Sequence, residues 1–348
     1  MACVALDIGG ANLKFAADHA APRSVPFALW RQPHNLASTL ADELDQDFSD
    51  TDTVLAVMTG ELADCFEDRE TGVLFIARAL QEAAGDRTVR WFGLDRQWHS
   101  TEHVLHAPSH FAASNWLALA QAVAQTLEDR NEDSVDALLV DVGTTTTDIT
   151  PILSGSVAAR GLHDTDRLRA GELLYLGVER TPICAVAERL PYRGDELPCA
   201  AEWFATTLDV CLLLGLLPER TDSVPTADNR SATRAAARRR LSRMILAIGR
   251  GEFTEDDAQT VADFLYSRLI DRVASALERI ARERGVSLER VIVAGKGTFL
   301  AEAALRRLGI GHPWARLSDW WDASLDNCDT SMALLRLWQK ASPCRIPV

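Results

Sequence analysis

No two of the seven cysteines (Cys3, Cys65, Cys184, Cys199, Cys211, Cys328, Cys344) are spaced C-x-x-C, and their number is odd. A disulfide framework and a structural zinc site are therefore both disfavoured, and a reducing, cytoplasmic compartment is expected. Long apolar runs are missing too. The most apolar stretch, Val210 to Leu217, falls well short of the roughly 20 residues that span a bilayer. Strand-like sequence starts within a few residues of the N-terminus, so no signal peptide is expected. Positive charge is scarce: Lys and Arg number 36 against 50 Asp and Glu, a formal net charge of −14. That balance repels nucleic-acid backbones and anionic membranes, and neither is expected as a partner. The basic cluster Arg234, Arg238, Arg239, Arg240 and Arg243 lies in an expected helix and reads as a solvated or interdomain face. There is no low-complexity segment. No G-x-G-x-x-G opens a helix, which excludes the usual dinucleotide fingerprint.

The chain has 348 residues, 47% of them hydrophobic and 25% charged, enough for two domains with sizeable cores. Its organising stretch is Leu138-Leu139-Val140-Asp141-Val142-Gly143-Thr144-Thr145-Thr146-Thr147-Asp148-Ile149. An apolar strand delivers a carboxylate to its end, and a glycine turn then gathers amides and hydroxyls at one spot. Such a turn suits a phosphate with a bound cation. The order recurs at the start of the chain in Val4-Ala5-Leu6-Asp7-Ile8-Gly9-Gly10-Ala11-Asn12-Leu13-Lys14, where Lys14-Phe15-Ala16 continues as a return strand and makes a hairpin. Two copies imply related halves, set at 1–130 and 131–348, facing a central cleft.

Between the copies, Leu36, Leu40 and Leu44 mark a helix, Val54 to Met58 a strand, Val73 to Ala84 a helix, Val89 to Gly93 a strand, and Trp116 to Leu127 a helix capped by Ser114 or Asn115. Beyond the second copy, Ser154-Gly155-Ser156 is a turn and Gly171 to Pro182 a substrate-side loop and strand. Helices are expected over Ala200 to Leu217, Thr233 to Gly249 and Thr254 to Arg284, and a helical insertion is placed at about 185–250. A third glycine turn, Gly295-Lys296-Gly297, joins the strand Arg290 to Ala294 to the helix Thr298 to Leu308, whose first turn is free to face an anion; a last helix covers Thr330 to Trp338.

The chemistry these residues permit is phosphate with magnesium. Asp7 or Asp141 alone reads equally well as a turn-capping residue; their duplication and the third glycine turn favour Mg²⁺ ligation. Gly9, Gly10, Asn12, Gly143, Thr144, Thr145, Thr146, Gly295, Lys296 and Gly297 are the candidate diphosphate contacts, with Lys14 as a point charge beside them. Glu61 and Asp64, on the loop after the strand Val54 to Met58, are candidate bases on a hydroxyl or amine; Asp148 is a candidate for ligating metal or activating a nucleophile, and otherwise satisfies the threonine-rich turn itself. His99, His110 and His163 lack ligand spacing. Trp320 and Trp321 are expected to pack a domain surface.

In its two D-[IV]-G turns and its V-A-G-x-G turn, the chain resembles the hydantoinase/oxoprolinase-like branch of the actin-like ATPase, sugar kinase and Hsp70 superfamily. Its Thr59-Gly60-Glu61-Leu62-Ala63-Asp64-Cys65-Phe66 and Arg180-Thr181-Pro182 strings are similar to those of a family tied to tetrahydromethanopterin-linked one-carbon metabolism. The resemblance implies an α/β fold of two actin-like, ribonuclease H-like domains, each a mixed five-stranded sheet flanked by helices. It also implies a methanofuran-biosynthesis transferase that joins an aminomethyl-furan-methyl diphosphate to the phenol oxygen of γ-glutamyltyramine and releases pyrophosphate. Mg²⁺ would be needed and ATP would not. In that reading Asp7 and Asp141 organise the metal, Lys14 stabilises the departing charge, and Glu61 or Asp148 takes the phenolic proton. A homodimer is compatible with it. An ATP-dependent small-molecule kinase of the same superfamily and a non-catalytic nucleotide sensor are the alternatives.

Overall fold

The computed structural model describes residues 2–130, 136–221, 226–311, 314–321 and 328–341. Its first sheet comprises β1 (Cys3–Ile8), β2 (Asn12–Ala17), β3 (Ala20–Pro26), β4 (Thr53–Met58), β5 (Thr88–Phe92) and β6 (Trp98–His99), in the order β3-β2-β1-β4-β5-β6. β1 runs antiparallel to β2 and parallel to β4. The expected hairpin is therefore present, with Asp7 directly opposite Lys14. The sheet has one strand more than the five expected, because the chain turns at Asp95–Gln97 and lays the two-residue β6 along β5.

The second sheet uses β7 (Ala137–Val142), β8 (Thr147–Leu153), β9 (Ser156–Val157) and β10 (Leu173–Leu174). A separate hairpin, β11 (Arg189–Tyr192) and β12 (Asp195–Pro198), precedes β13 (Val291–Ala294) and β14 (Ala315–Arg316). Its order is β10-β8-β7-β13-β14, with β9 also paired to β8. In both sheets the strand carrying the Asp is central, with its return strand on one side and a strand from much later in the chain on the other. Both sheets are mixed and flanked by helices, the α/β architecture expected from the sequence.

The helices are α1 (Leu36–Asp47), α2 (Arg69–Ala84), α3 (Thr101–His106), α4 (Asn115–Asp129), α5 (Asp164–Ala170), α6 (Thr207–Leu213), α7 (Arg234–Arg243), α8 (Glu255–Arg284), α9 (Thr298–Arg307), α10 (Leu317–Trp321) and α11 (Asp329–Ala341). The chain falls into two compact units. One is Met1–Leu139 with Thr150–Ala170 and Leu317–Val348; the other is Val140–Ile149 with Gly171–Arg316.

Strand alternation decides where Asp7 lies. Val4, Leu6 and Ile8 of β1, with Val54, Ala56 and Met58 of β4, share one core with Leu36, Leu40 and Leu44 of α1 and with Val73, Ile76 and Leu80 of α2. Successive side chains of a strand point to opposite faces, so Asp7 belongs to the other face. There α11 packs on β1 and β2, and Ser331 Oγ donates to the Lys14 carbonyl at 3.0 Å.

Three helix expectations need correction. Residues 200–205 are not helical; α6 starts only after Thr206, whose hydroxyl and amide form a capping box with Asp209, and Trp203 beside it is exposed. α7 ends at Arg243, and the chain then turns sharply through Leu246 at φ +59°. Ser114 precedes α4 but does not cap it, since its hydroxyl donates instead to the Phe92 carbonyl at 2.9 Å. α8 conforms: Thr254 and Asp257 make a reciprocal capping box, and Gly285 at φ +67° ends the helix.

Candidate functional site

The two Asp turns are closed by the same bond. Gly9 N–H donates to the Asn12 carbonyl at 3.0 Å, and Gly143 N–H donates to the Thr146 carbonyl at 2.8 Å. Each glycine lies two residues after its Asp. The correspondence extends to the loops that follow the neighbouring strands: Thr59 N–H, after β4, donates to Ile8 O at 3.0 Å, and Gly297 N–H, after β13, donates to Val142 O at 2.8 Å. Ile8 and Val142 are the residues directly after Asp7 and Asp141. The Thr59–Phe66 string is thus the first unit's counterpart of the Gly295–Gly297 turn, a relation that nothing in their sequences displays.

In the first unit, Lys14 Nζ sits 2.9 Å from Asp7 Oδ2. Asp7 is 1% exposed, and its Oδ1 has no hydrogen-bond partner. Gly9 is needed here, because a Cβ would lie 2.9 Å from the Asn12 carbonyl oxygen, whereas a Cβ at Gly10 would meet nothing.

Glu61 sits in the short 3-10 turn Gly60–Leu62 and is 1% exposed, with both carboxyl oxygens lacking a partner in hydrogen-bonding geometry. Its backbone is held by α2: a Cβ at Gly72 would fall 2.4 Å from the Glu61 carbonyl oxygen. Burial pushes the carboxyl up to about 8; its own amide, Arg69 and the Ala113 amide pull the other way, and Asp164 adds to the rise. Asp64, its companion in the sequence, is exposed. The structure therefore separates two carboxylates that looked equivalent.

The Glu61 shift makes stability depend on pH. The ordinary value is 4.5 and the folded value about 8, so the folded state holds an extra proton between them. This contribution is complete below the lower value and is lost as pH rises through the higher one, to the extent of about 5 kcal/mol. Glu61→Gln should remove that decline. Melting temperatures measured from about pH 5 to about pH 8.5 should fall less in the variant than in the parent; parallel curves would show that Glu61 is not held protonated.

In the second unit, residues 177–180 clasp the threonine turn. Val178 N–H donates to Gly143 O at 3.1 Å, and the Glu179 and Arg180 amides both donate to Thr144 O at 3.0 Å. A Cβ on Gly177 would lie 2.5 Å from the Thr144 carbonyl and the Thr145 nitrogen. From the other side, Gly295 at φ +81° approaches so closely that a Cβ would lie 2.2 Å from Asp141 Oδ1. Gly295, Lys296 and Gly297 are thereby brought together with Asp141, Gly143, Thr144, Thr145 and Thr146. Asp148 lies further along β8, opposite Leu173, and is half-buried.

Sequence reasoning missed Glu179. Lys296 Nζ lies 2.6 Å from Glu179 Oε1, and Arg220 Nη2 lies 3.1 Å from the same oxygen. Lys296 thus answers a carboxylate within its own unit, which accounts for a lysine in the glycine turn. Arg240 corrects the solvated-face reading of the arginine cluster: it is fully buried, with Nε 2.7 Å from Asp209 Oδ1 and Nη1 3.0 Å from Asp228 Oδ1. No group of three or more His, Cys, Asp or Glu among the described residues could hold a metal by itself. No described helix is long and apolar enough to cross a membrane.

Comparison with known proteins gives the following. The pattern of the hydantoinase/oxoprolinase family matches residues 52–318. The (4-{4-[2-(gamma-L-glutamylamino)ethyl]phenoxymethyl}furan-2-yl)methanamine synthase of Methanocaldococcus jannaschii is 29% identical over 338 residues, 96% of this chain and 97% of that protein. A protein of the same name from Methanococcus vannielii is 31% identical over 189 residues, 54% of this chain and 81% of that protein. Among solved structures, the ROK hexokinase of Thermus thermophilus aligns over 99% of this chain and 100% of its own, at 16% identity and a TM-score of 0.43.

Proposed function

The chain belongs to the hydantoinase/oxoprolinase family, and from that premise we propose that it is a transferase forming the aryl ether of a furan methanamine in methanofuran biosynthesis. The product named for its relatives divides at the phenoxymethyl oxygen into a furan bearing an aminomethyl group and a γ-glutamyl derivative of tyramine. That division supports the following reaction. The bond between the furan methylene carbon and its diphosphate oxygen breaks, with the electron pair leaving on pyrophosphate. The phenol oxygen bonds to the same carbon and its proton passes to a carboxylate. ATP has no part in this balance.

The observation that carries the reading is the repeated turn, an Asp followed two residues later by a glycine whose amide closes the loop, which presents acceptors for a cation and donors for phosphate oxygens. Mg²⁺ is held through one or two carboxylates together with water and phosphate oxygens. The partnerless Asp7 Oδ1 suits such a role, as does Asp141, over which Gly295 leaves no side chain. Bound Mg²⁺ would neutralise charge on the leaving diphosphate. Thr144, Thr145, Thr146 and the amides of their own turn would hold its oxygens. For the phenolic proton, Asp148 is the better placed of the two candidates: it stands on the strand leaving the threonine turn, whereas Glu61 below pH 8 already holds a proton.

The test is a coupling assay with Mg²⁺, the furan diphosphate and γ-glutamyltyramine, without ATP. Pyrophosphate and ether product should form in equal amounts, and Asp141→Asn should lower the rate by about 10³ without lowering the melting temperature. Absence of product from folded protein would sink the proposal. ADP formed from ATP with an acceptor would favour the kinase, and nucleotide binding without turnover the sensor.

A further inference from the structure

We propose that Glu61, with Asp164 and Arg69 beside it, forms a recognition site for a primary ammonium group. The site lies wholly within the first unit. Its floor is a carboxyl that is 1% exposed, and neither of its oxygens meets a donor in hydrogen-bonding geometry. An acceptor pair buried in this way is costly in the ligand-free protein, and the fold holds it there: Gly72 lets α2 close directly on the Glu61 backbone.

Asp164, at the start of α5, and Arg69, at the start of α2, act electrostatically on Glu61, and the Ala113 amide acts on it as well. Ala113 itself is held at φ +48°, a strained conformation for a residue with a Cβ. Arg69 and Asp164 already face each other, 3.4 Å apart, with side chains 29% and 14% exposed, and they form the more open side of the cluster. Arg69 already faces Asp164, so a zwitterion such as an α-amino acid would bring a carboxylate for which that guanidinium is engaged, whereas a simple cation brings none. An ammonium group carries three donors and no acceptor, which is what two partnerless carboxyl oxygens require.

The transferase reading supplies a source for the cation, the aminomethyl group on the furan, and only that assignment rests on it. The test therefore uses neither diphosphate nor turnover. Furan-2-ylmethanamine is titrated into the full chain by calorimetry in two buffers of different ionisation enthalpy. The ammonium enters charged and Glu61 starts protonated, so binding at about pH 7 should be saturable and release about 0.9 proton per site. The uncharged furan-2-ylmethanol should bind at least roughly tenfold more weakly. Glu61→Gln should lose both the affinity and the proton release while melting no lower than the parent, since it removes a buried group that lacked partners. γ-Glutamyltyramine, whose amine adjoins a carboxylate, should not compete. Absence of saturable binding, binding without proton release, or unchanged binding by Glu61→Gln would each overturn the proposal. Competition by γ-glutamyltyramine would overturn the choice of a simple ammonium over a zwitterion. Failure of the coupling assay alone would leave this site standing.

Discussion

A methyl group at Gly295 should nearly abolish turnover. The backbone there is at φ +81°, which costs a residue with a Cβ about 1 kcal/mol or more. The larger effect is local: the added Cβ would lie 2.2 Å from Asp141 Oδ1 and 2.5 Å from the Val142 carbonyl oxygen. The carbonyl cannot swing away without losing the 2.8 Å bond it accepts from Gly297 N–H. Either the Asp141 carboxylate or the whole turn must move, and displacement of about 1 Å at a catalytic group costs on the order of 10² in rate. Gly295→Ala should therefore lower the coupling rate at least about 10²-fold. Gly251→Ala is the control, since Gly251 has a similar φ of +77° but nothing near the added carbon. It should lose a little stability and keep its rate. Equal rates in the two variants would remove the Asp141–Gly295 approach from the mechanism.

The largest loss of stability is expected at Arg240, far from any phosphate turn in the sequence. Its guanidinium lies between Asp209 and Asp228, and Asp209 also closes the capping box that starts α6. Burial raises the Asp209 pKa even against the attraction of Arg240. At Asp228 burial acts in the same sense, but the Arg240 bonds outweigh it and hold the group below its usual range. Removing the guanidinium leaves a buried carboxylate uncompensated, a change that destabilises by about 3–5 kcal/mol. Arg240→Ala should show that loss in chemical denaturation near neutral pH, and a smaller loss in acid, where Asp209 can take a proton. Arg240→Lys should recover little, because the two-sided fork is lost. Arg240→Met combined with Asp209→Leu should recover most of it. A loss below about 1 kcal/mol for Arg240→Ala would mark the pair as a solvated one.

What could be read from the sequence was local. The order of Asp, apolar residue and glycine carries its own turn, so Asp7 and Asp141 were found, and the hairpin that sets Asp7 opposite Lys14 follows from the short loop between two strands. The four-residue spacing of Leu36, Leu40 and Leu44 likewise announces its buried face. Contacts between distant segments left no such trace. Lys296 and Glu179 share no pattern, and the 2.6 Å pair depends on two loops closing on the same turn. Arg240 stands in a run of arginines whose average is solvated, and only the placement of Asp209 and Asp228 takes one of them inside. Residues 200–205 have helical composition, but Thr206 caps α6 and pairs with Pro182, so the helix cannot begin earlier. Glu61 and Asp64 are three residues apart on one loop, and their different burial is set by α2, through Gly72.

The proposed chemistry is tested most directly by following one oxygen atom. γ-Glutamyltyramine labelled with oxygen-18 at the phenol is turned over with the furan diphosphate and Mg²⁺, and both products are weighed by mass spectrometry. Attack of the phenol on the furan methylene carbon predicts that the label stays in the ether product and that pyrophosphate carries none. Label found in a phosphate ester of the phenol, with the furan alcohol released, would show attack at phosphorus and contradict the account.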